Sequence, residues 1–257
     1  MYTYIMIAFF TDLDNTLIYS YKHDIGNNKK CVEIYNERKI SFSTTNTLNN
    51  LKILNNFVTI IPTSTRTIEQ FNRINLGINF KYSLVCNGGI LLIDGKKDNL
   101  WYEQSQNLVK DSIQEIDKAM SFLQNDPRRF FEQRYIENLF LFTKCHNPEK
   151  VVIELKDILN TSLVDVFNNG EKVYVIPIKL SKGMAVARFL EKYNYTDTIS
   201  AGDSEFDLSM IETTSLGIIP ENFPIQIENK LHIYKAHKNM IFSDELLNYI
   251  ITNFVNQ

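Results

Sequence analysis

Short β-rich apolar runs alternate along the chain with segments whose apolar residues recur at helical spacing. The runs Ile5 to Phe10, Phe57 to Ile61, Ser83 to Cys86, Thr198 to Ala201 and Leu216 to Ile219 carry few polar interruptions, which predicts strands buried on both faces. Between them, Thr67 to Ile74 places Ile68, Phe71 and Ile74 on one helical face, and Met184 to Leu190 and Glu245 to Phe254 repeat the pattern. Strands alternating with helices predict an α/β fold built on a doubly wound parallel sheet.

The middle of the chain has a different texture. From Val109, apolar residues return at Ile113, Ile116, Met120 and Leu123, one face of an amphipathic helix. Two strand-like runs follow, Phe130 to Ile136 and Leu139 to Thr143. A helical pattern at Val151 to Leu159 then leads to Ser162 to Phe167, the turn signal Asn168-Asn169-Gly170 and a strand at Lys172 to Ile176. Helix, strand, strand, repeated, predicts a small antiparallel sheet with helices on one face. We place this inserted α+β domain at 103–176, leaving 1–102 and 177–257 as the main domain. The polar stretch Ser20 to Ser41 reads as a loop or hairpin projecting over the end of the first strand, either helping to close a site or serving as a solvated connection.

A chain of 257 residues with 44% apolar composition can bury a sizeable core. Its 27 basic and 30 acidic side chains leave a net charge of −3, so no overall field draws it to nucleic acid or anionic lipid, and a small molecule is the expected partner. Cys31, Cys86 and Cys145 form no CxxC pair and read as reduced thiols of a cytoplasmic protein. The apolar opening from Tyr4 to Phe10 lacks the basic start of a signal peptide, and no apolar run nears the roughly 18 residues of a membrane helix. His23, His146, His232 and His237 are scattered without matching ligands, so no metal role is expected of them. No G-x-G-x-x-G follows a strand, which argues against a nucleotide-binding oxidoreductase.

Candidate chemistry sits where predicted strands end. The first strand runs into Asp12-Leu13-Asp14-Asn15-Thr16, and open α/β sheets bind ligands at the carboxyl ends of their strands. The second ends in Pro62-Thr63-Ser64-Thr65-Arg66, a hydroxyl and backbone N–H groups on which a phosphate can rest, or a helix cap. Lys182 opens a helix where the macrodipole favours an acid, which hints at an anionic partner, though a solvated lysine is the commoner case. Gly202-Asp203-Ser204-Glu205-Phe206-Asp207 adds two more acids after a further strand; taken alone, these too read as a loop and a helix cap. A cluster of carboxylates calls for a hard cation with oxygen ligands, and Mg²⁺ suits a few carboxylates plus substrate phosphate.

In order and setting, these four segments resemble the four motifs of the haloacid dehalogenase (HAD) superfamily. Asn87-Gly88-Gly89-Ile90 is similar to the turn before the cap in its sugar-phosphatase-like (Cof-like) branch, and the insert resembles that branch's type C2B cap. The stretch Leu17-Ile18-Tyr19-Ser20 is similar to that of uncharacterised bacterial HAD proteins associated with tellurite-resistance gene clusters. The resemblance implies a Mg²⁺-dependent phosphatase acting on a small phosphorylated metabolite such as a sugar phosphate. Asp12 would be a nucleophile that becomes phosphorylated, Asp14 an acid/base, Ser64 a partner of the phosphoryl group, and Lys182 a neutraliser of charge. Mg²⁺ would be held by Asp12, the Asp14 carbonyl and Asp203, with Asp207 supporting that shell or binding through water. Thr65, Arg66, Asn87 and Gly88 would face the substrate.

Two departures stand out. Phe206 occupies a position where the branch usually has Asn, and Thr65 one where it commonly has Gly. A phosphomutase of the same superfamily would carry the same motifs, and the Phe206 departure leaves room for a non-catalytic protein that binds a phosphorylated ligand. Arg128, Arg129 and Arg134 in the insert read as surface charge or as contacts to an anionic substrate.

Overall fold

The computed structural model describes residues 6–227, 232–237 and 239–255; Tyr4 and Ile5, where the first apolar run begins, lie outside them. In chain order the elements are β1 (Ile7–Thr11), β2 (Tyr19–Ser20), β3 (Lys29–Tyr35), β4 (Arg38–Thr44), α1 (Thr45–Leu54), β5 (Thr59–Pro62), α2 (Ile68–Asn72), β6 (Tyr82–Val85), β7 (Ile90–Ile93) and β8 (Lys96–Lys97). Then follow α3 (Asn99–Val109), α4 (Ile113–Gln124), β9 (Arg134–Ile136), β10 (Phe140–Lys144), α5 (Pro148–Ile158), β11 (Val164–Asn169) and β12 (Lys172–Pro177). The chain ends with α6 (Lys182–Lys192), β13 (Asp197–Ala201), α7 (Glu205–Thr213), β14 (Leu216–Ile219), β15 (Ile233–Lys235) and α8 (Phe242–Ile250). It divides into two compact units, Met1–Lys97 with Lys182–Gln257, and Asp98–Ser181.

The first unit is organised by a parallel sheet in the order β15-β14-β13-β1-β5. All five residues of β1 are buried, which is why it reads as an unbroken apolar run. Phe9 packs on one side with Leu51 and Leu54 of α1 and Leu246, Leu247 and Ile250 of α8. Phe10 points the other way and meets Phe189 of α6 edge-on, ring centroids 5.6 Å apart. Helices therefore cover both faces. After β1 the chain builds β5 on one side of it and later returns with β13 on the other, so the carboxyl end of β1 is the point where strand order reverses.

Three parts of the unit differ from expectation. The Ser83 to Cys86 run forms β6 of a separate antiparallel sheet, β6-β7-β8, joined to the parallel sheet by one bridge between Thr63 and Leu84. The cause is local: Cys86, Asn87 and Gly88 all take positive φ (53°, 56° and 82°), which turns the chain straight back into β7. The Ser20 to Ser41 stretch holds a three-stranded sheet, β2-β4-β3. Asn36 and Glu37 (φ 47° and 63°) make the two-residue reversal that pairs Tyr35 with Arg38. Helix α1 and strand β15, for which the sequence reading had no segment, complete the unit; α1 starts where the Thr44 hydroxyl accepts from the Thr47 N–H.

The second unit is an antiparallel sheet in the order β11-β12-β10-β9. Ile116, Ala119 and Leu123 of α4 and Val151, Val152 and Leu155 of α5 pack on Leu141, Val164, Val166, Val173 and Val175. The amphipathic pattern after Val109 is α4, preceded by a 3₁₀ turn at Lys110–Ser112, and α3 opens the unit with Trp101 buried. Among the described residues no helix is long and apolar enough to cross a membrane.

Helices α6 and α7 meet backbone to backbone. A Cβ on Gly183 would lie 2.3 Å from the Ser209 carbonyl oxygen, and the Gly183 N–H donates to Ser209 Oγ at 3.0 Å. Gly183→Ala forces the helices apart, and urea unfolding should show a loss of about 2 kcal/mol with an unchanged m-value.

Candidate active site

The hydrogen-bond ladder of the parallel sheet continues past the strand ends. The Asp12 N–H donates to the Ala201 carbonyl at 2.9 Å, and the Thr63 N–H to the Thr11 carbonyl at 2.8 Å. Beyond Asp12 the chain makes one tight turn, in which the N–H groups of Leu17 and Ile18 both donate to the Leu13 carbonyl. Leu13, Leu17 and Ile18 are sunk in the core, and Asn15 takes a φ of 59°. The turn therefore faces Asp14 outward. The Asp12 side chain is 9% exposed, whereas that of Asp14 is 51% exposed.

Lys182, the first residue of α6, is fully buried, and its Nζ donates to Asp12 Oδ1 at 2.5 Å and Asp207 Oδ1 at 2.6 Å. Burial alone would lower its pKa, but the two carboxylates overcome that and hold it above the ordinary lysine value. The other oxygen of Asp207 accepts from the N–H groups of Asp203 and Ser204, both at 3.0 Å, and from Ser204 Oγ at 2.9 Å. These bonds build the start of α7 as a capping box. Gly202 is a steric requirement of the same arrangement, since a Cβ there would lie 2.3 Å from both Cβ and Cγ of Asp207.

Asp12, Asp203 and Asp207 each offer a carboxylate oxygen within 4.8 Å of the others. Crowding shows in their electrostatics. Burial pushes the Asp12 carboxyl well up despite the pull of Lys182, with Asp207 and Asp203 adding to the rise. Burial and then Asp207 push Asp203 up to about 7.

The remaining candidates divide in two groups. The Ser64 N–H donates to the Leu84 carbonyl, its carbonyl accepts from the Asn87 N–H, and its Oγ accepts from the Arg66 N–H at 3.2 Å. The Cys86 N–H donates to the Arg66 carbonyl, so the loop after β5 and the turn holding Asn87 and Gly88 are stitched together, with Thr65 between. The Asp14 carboxylate stands apart from the acid cluster and is gripped by Arg66, through Nε and Nη2 at 2.7 Å each. The arginines of the second unit have protein partners. Arg128 bonds Asp126 and Glu154, Arg129 the Leu123 and Phe131 carbonyls, and Arg134 bonds Glu132.

A family model described as haloacid dehalogenase-like hydrolase matches residues 96–240, more than half of the chain. The chain belongs to the haloacid dehalogenase-like hydrolase family. No curated protein matches the sequence. Solved structures add the likeness of the whole fold. The sucrose-phosphatase of Synechocystis sp. PCC6803 is 17% identical, with 96% of this chain and 98% of that one covered at a TM-score of 0.67. A sugar phosphatase of HAD subclass IIB is 13% identical over 96% and 98% of the two chains, with a TM-score of 0.60. Trehalose-6-phosphate phosphatase from Aspergillus fumigatus is 15% identical over 95% and 93%, with a TM-score of 0.55.

Sequence reasoning on this haloacid dehalogenase-like chain missed Glu33 and Arg73. Glu33 is a fully buried carboxylate on β3 that accepts from Arg66 Nη1 at 3.0 Å, Arg73 Nε at 3.2 Å and Ser41 Oγ at 2.6 Å. Burial opposes its ionisation, but Arg66 and Ser41 lead the bonds that hold it below the usual carboxylate range. Arg66 and Arg73 flank the short helix α2, one before its cap and one at its end, so helical spacing does not mark them as a pair. Their common acid lies on a strand more than thirty residues earlier, beyond the reach of local pattern.

Lys182→Met leaves Asp12 and Asp207 buried without their cation. Urea unfolding at neutral pH should show a loss of about 3 kcal/mol, well beyond that of an ordinary surface lysine.

Proposed function

We propose that this hydrolase is a Mg²⁺-dependent phosphatase that cleaves a small phosphorylated metabolite through a phosphorylated Asp12. The observation that carries the reading is the buried Lys182 ammonium bonded at once to Asp12 and Asp207, beside Asp203. A carboxylate approaching a phosphate monoester meets repulsion of about 4 kcal/mol per charge pair at 4 Å and an effective dielectric near 20. One lysine does not offset this, because Asp12 and Asp207 already share it and Asp203 stands beside them.

The donor set fits a hard divalent cation. It supplies carboxylate oxygens alone, from Asp12 and Asp203, with the Asp14 carbonyl as a further oxygen ligand. Both oxygens of Asp207 already accept from the protein, which favours a supporting place over a direct one. When bound, Mg²⁺ would neutralise charge on the nucleophile and on the phosphoryl oxygens.

In the first half of the reaction a carboxylate oxygen of Asp12 forms a bond to phosphorus, and the bond from phosphorus to the ester oxygen breaks. Asp14, exposed and held by Arg66, gives that leaving oxygen a proton. In the second half water attacks the phosphorus, Asp14 takes its proton, and the Asp12–phosphorus link breaks to release phosphate. The Ser64 hydroxyl, accepting from the Arg66 N–H, keeps its own proton to donate to a phosphoryl oxygen. Lys182 holds Asp12 in place and balances charge on the phosphoryl group. Thr65, Arg66, Asn87 and Gly88 stand on the two stitched loops and are assigned to substrate contacts. The sugar-phosphatase character of the structural relatives makes sugar phosphates the first class to test.

Phosphate release from a panel of sugar phosphates, nucleotides and p-nitrophenyl phosphate should require Mg²⁺, vanish in chelator and return on adding the ion. Asp12→Asn should lower turnover by about three orders of magnitude or more; an unchanged rate excludes Asp12 as nucleophile. Asp14→Asn should lower it by about 10²–10⁴. Transfer to a sugar in place of phosphate release would mark a mutase.

A further inference from the structure

Resting on that reading, we propose that Glu33 is a positioning residue. By anchoring Arg66 it fixes the Asp14 carboxylate in the orientation from which Asp14 takes a proton from the water that hydrolyses the phosphorylated enzyme. The chain of contacts is continuous. Glu33 Oε2 accepts from Ser41 on the neighbouring strand β4, and Oε1 accepts from both Arg66 Nη1 and Arg73 Nε. Arg66 is thus held at Nη1, and its other edge, Nε with Nη2, forms a fork whose two 2.7 Å bonds take both oxygens of Asp14.

A planar guanidinium has one geometry for such a double bond, so fixing one edge aims the other. The exposures run the same way. The Glu33 side chain is 0% exposed, that of Arg66 13% and that of Asp14 51%, so a rigid buried anchor grades outward to the group that meets solvent and substrate. Two cations converging on one point also need an anion between them. Without the Glu33 charge, Arg66 and Arg73 repel, and the fork loses its aim. A carboxylate that takes both bonds of such a fork is held in one orientation, with a lone pair on each oxygen still open to attacking water. The hairpin of β3 and β4 therefore does more than border the site. It supplies the anchor of the acid/base from a segment that carries no motif.

The test is Glu33→Gln, which keeps the side-chain shape but removes its charge, with Arg66→Lys, which removes the fork and leaves Glu33 its bonds to Arg73 and Ser41. With p-nitrophenyl phosphate, whose leaving group needs no proton, kcat/KM reports transfer to Asp12 and kcat includes the later hydrolysis. Glu33→Gln should lower kcat and KM together by about tenfold, the usual cost of losing an outer partner. It should leave kcat/KM within about twofold and raise the phosphorylated fraction in intact mass spectra of acid-quenched enzyme. Arg66→Lys should also raise that fraction, and the double variant should be no slower than Arg66→Lys. An unchanged kcat, or kcat/KM falling in step with kcat without added phosphoenzyme, overturns the proposal. A readout independent of turnover separates it from the phosphatase reading. Hydrogen exchange at the Arg66 Nε–H, assigned by NMR with Arg66→Lys, should be slow in the parent and fast in Glu33→Gln. Unchanged exchange overturns the positioning role whatever the activity, whereas a parent that shows the exchange difference yet hydrolyses no ester refutes the phosphatase reading instead.

Discussion

One buried ammonium holds the site together. Lys182 is taken fully out of water, a cost of several kcal/mol for an unpaired charge, and the structure meets it with two carboxylates at hydrogen-bond distance. Each of those acids comes from a different part of the chain, Asp12 from the end of β1 and Asp207 from the first turn of α7. The lysine therefore ties three sequence-distant segments to one point. It also leaves an imbalance, one positive charge against Asp12, Asp203 and Asp207; burial first, and then the neighbouring acids, push Asp12 and Asp203 up. That imbalance is the ground on which a hard cation is proposed, since carboxylate oxygens are its preferred ligands.

Such charges converge only if the backbone brings them close, and two glycines and a set of strand-end hydrogen bonds do this. Gly183 lets α6 lie against the Ser209 carbonyl of α7, and Gly202 lets the Asp207 side chain lie against the backbone that leads to Asp203. The N–H groups of Asp12, Thr63 and Ser64 each reach a carbonyl on a neighbouring segment just past a strand end. These loops are extensions of the sheet, and that is how short polar segments hold the side chains they carry in place.

Much of this was legible because burial leaves a mark on local pattern. β1 and β14 are almost wholly apolar because both faces are covered, and α4 and α5 are striped because one face is. The acids and the lysine stood out because they interrupt those patterns at element ends. What escaped had no such mark. Ser83 to Cys86 has the composition of a parallel strand, and only the positive φ run at Cys86, Asn87 and Gly88 commits it to an antiparallel hairpin. Helix α1 carries Asn and Thr at half its positions, which hides the Leu48, Leu51 and Leu54 stripe that packs on the sheet. Glu33 sits in a polar stretch that reads as loop, and its meaning depends on two arginines folded onto it from elsewhere.

The pair Asp12 and Asp14 shows how one turn can separate two roles. Strand alternation would put residues two apart on the same face, with similar surroundings. Instead the chain leaves the strand at Asp12, and the burial of Leu13, Leu17 and Ile18 rolls the turn so that Asp14 faces solvent while Asp12 stays under the lysine. In the proposed two-step phosphoryl transfer, these unlike environments suit unlike roles, Asp12 as the oriented nucleophile and Asp14 at the solvent-facing side. The exposed acid then needs an orienting partner of its own, because solvent alone would leave it several rotamers. Arg66 meets that need with a fork, and Arg66 is itself aimed by a carboxylate sealed inside the protein. Order at the site thus runs outward from buried charge to exposed charge, the direction in which rigidity can be passed on.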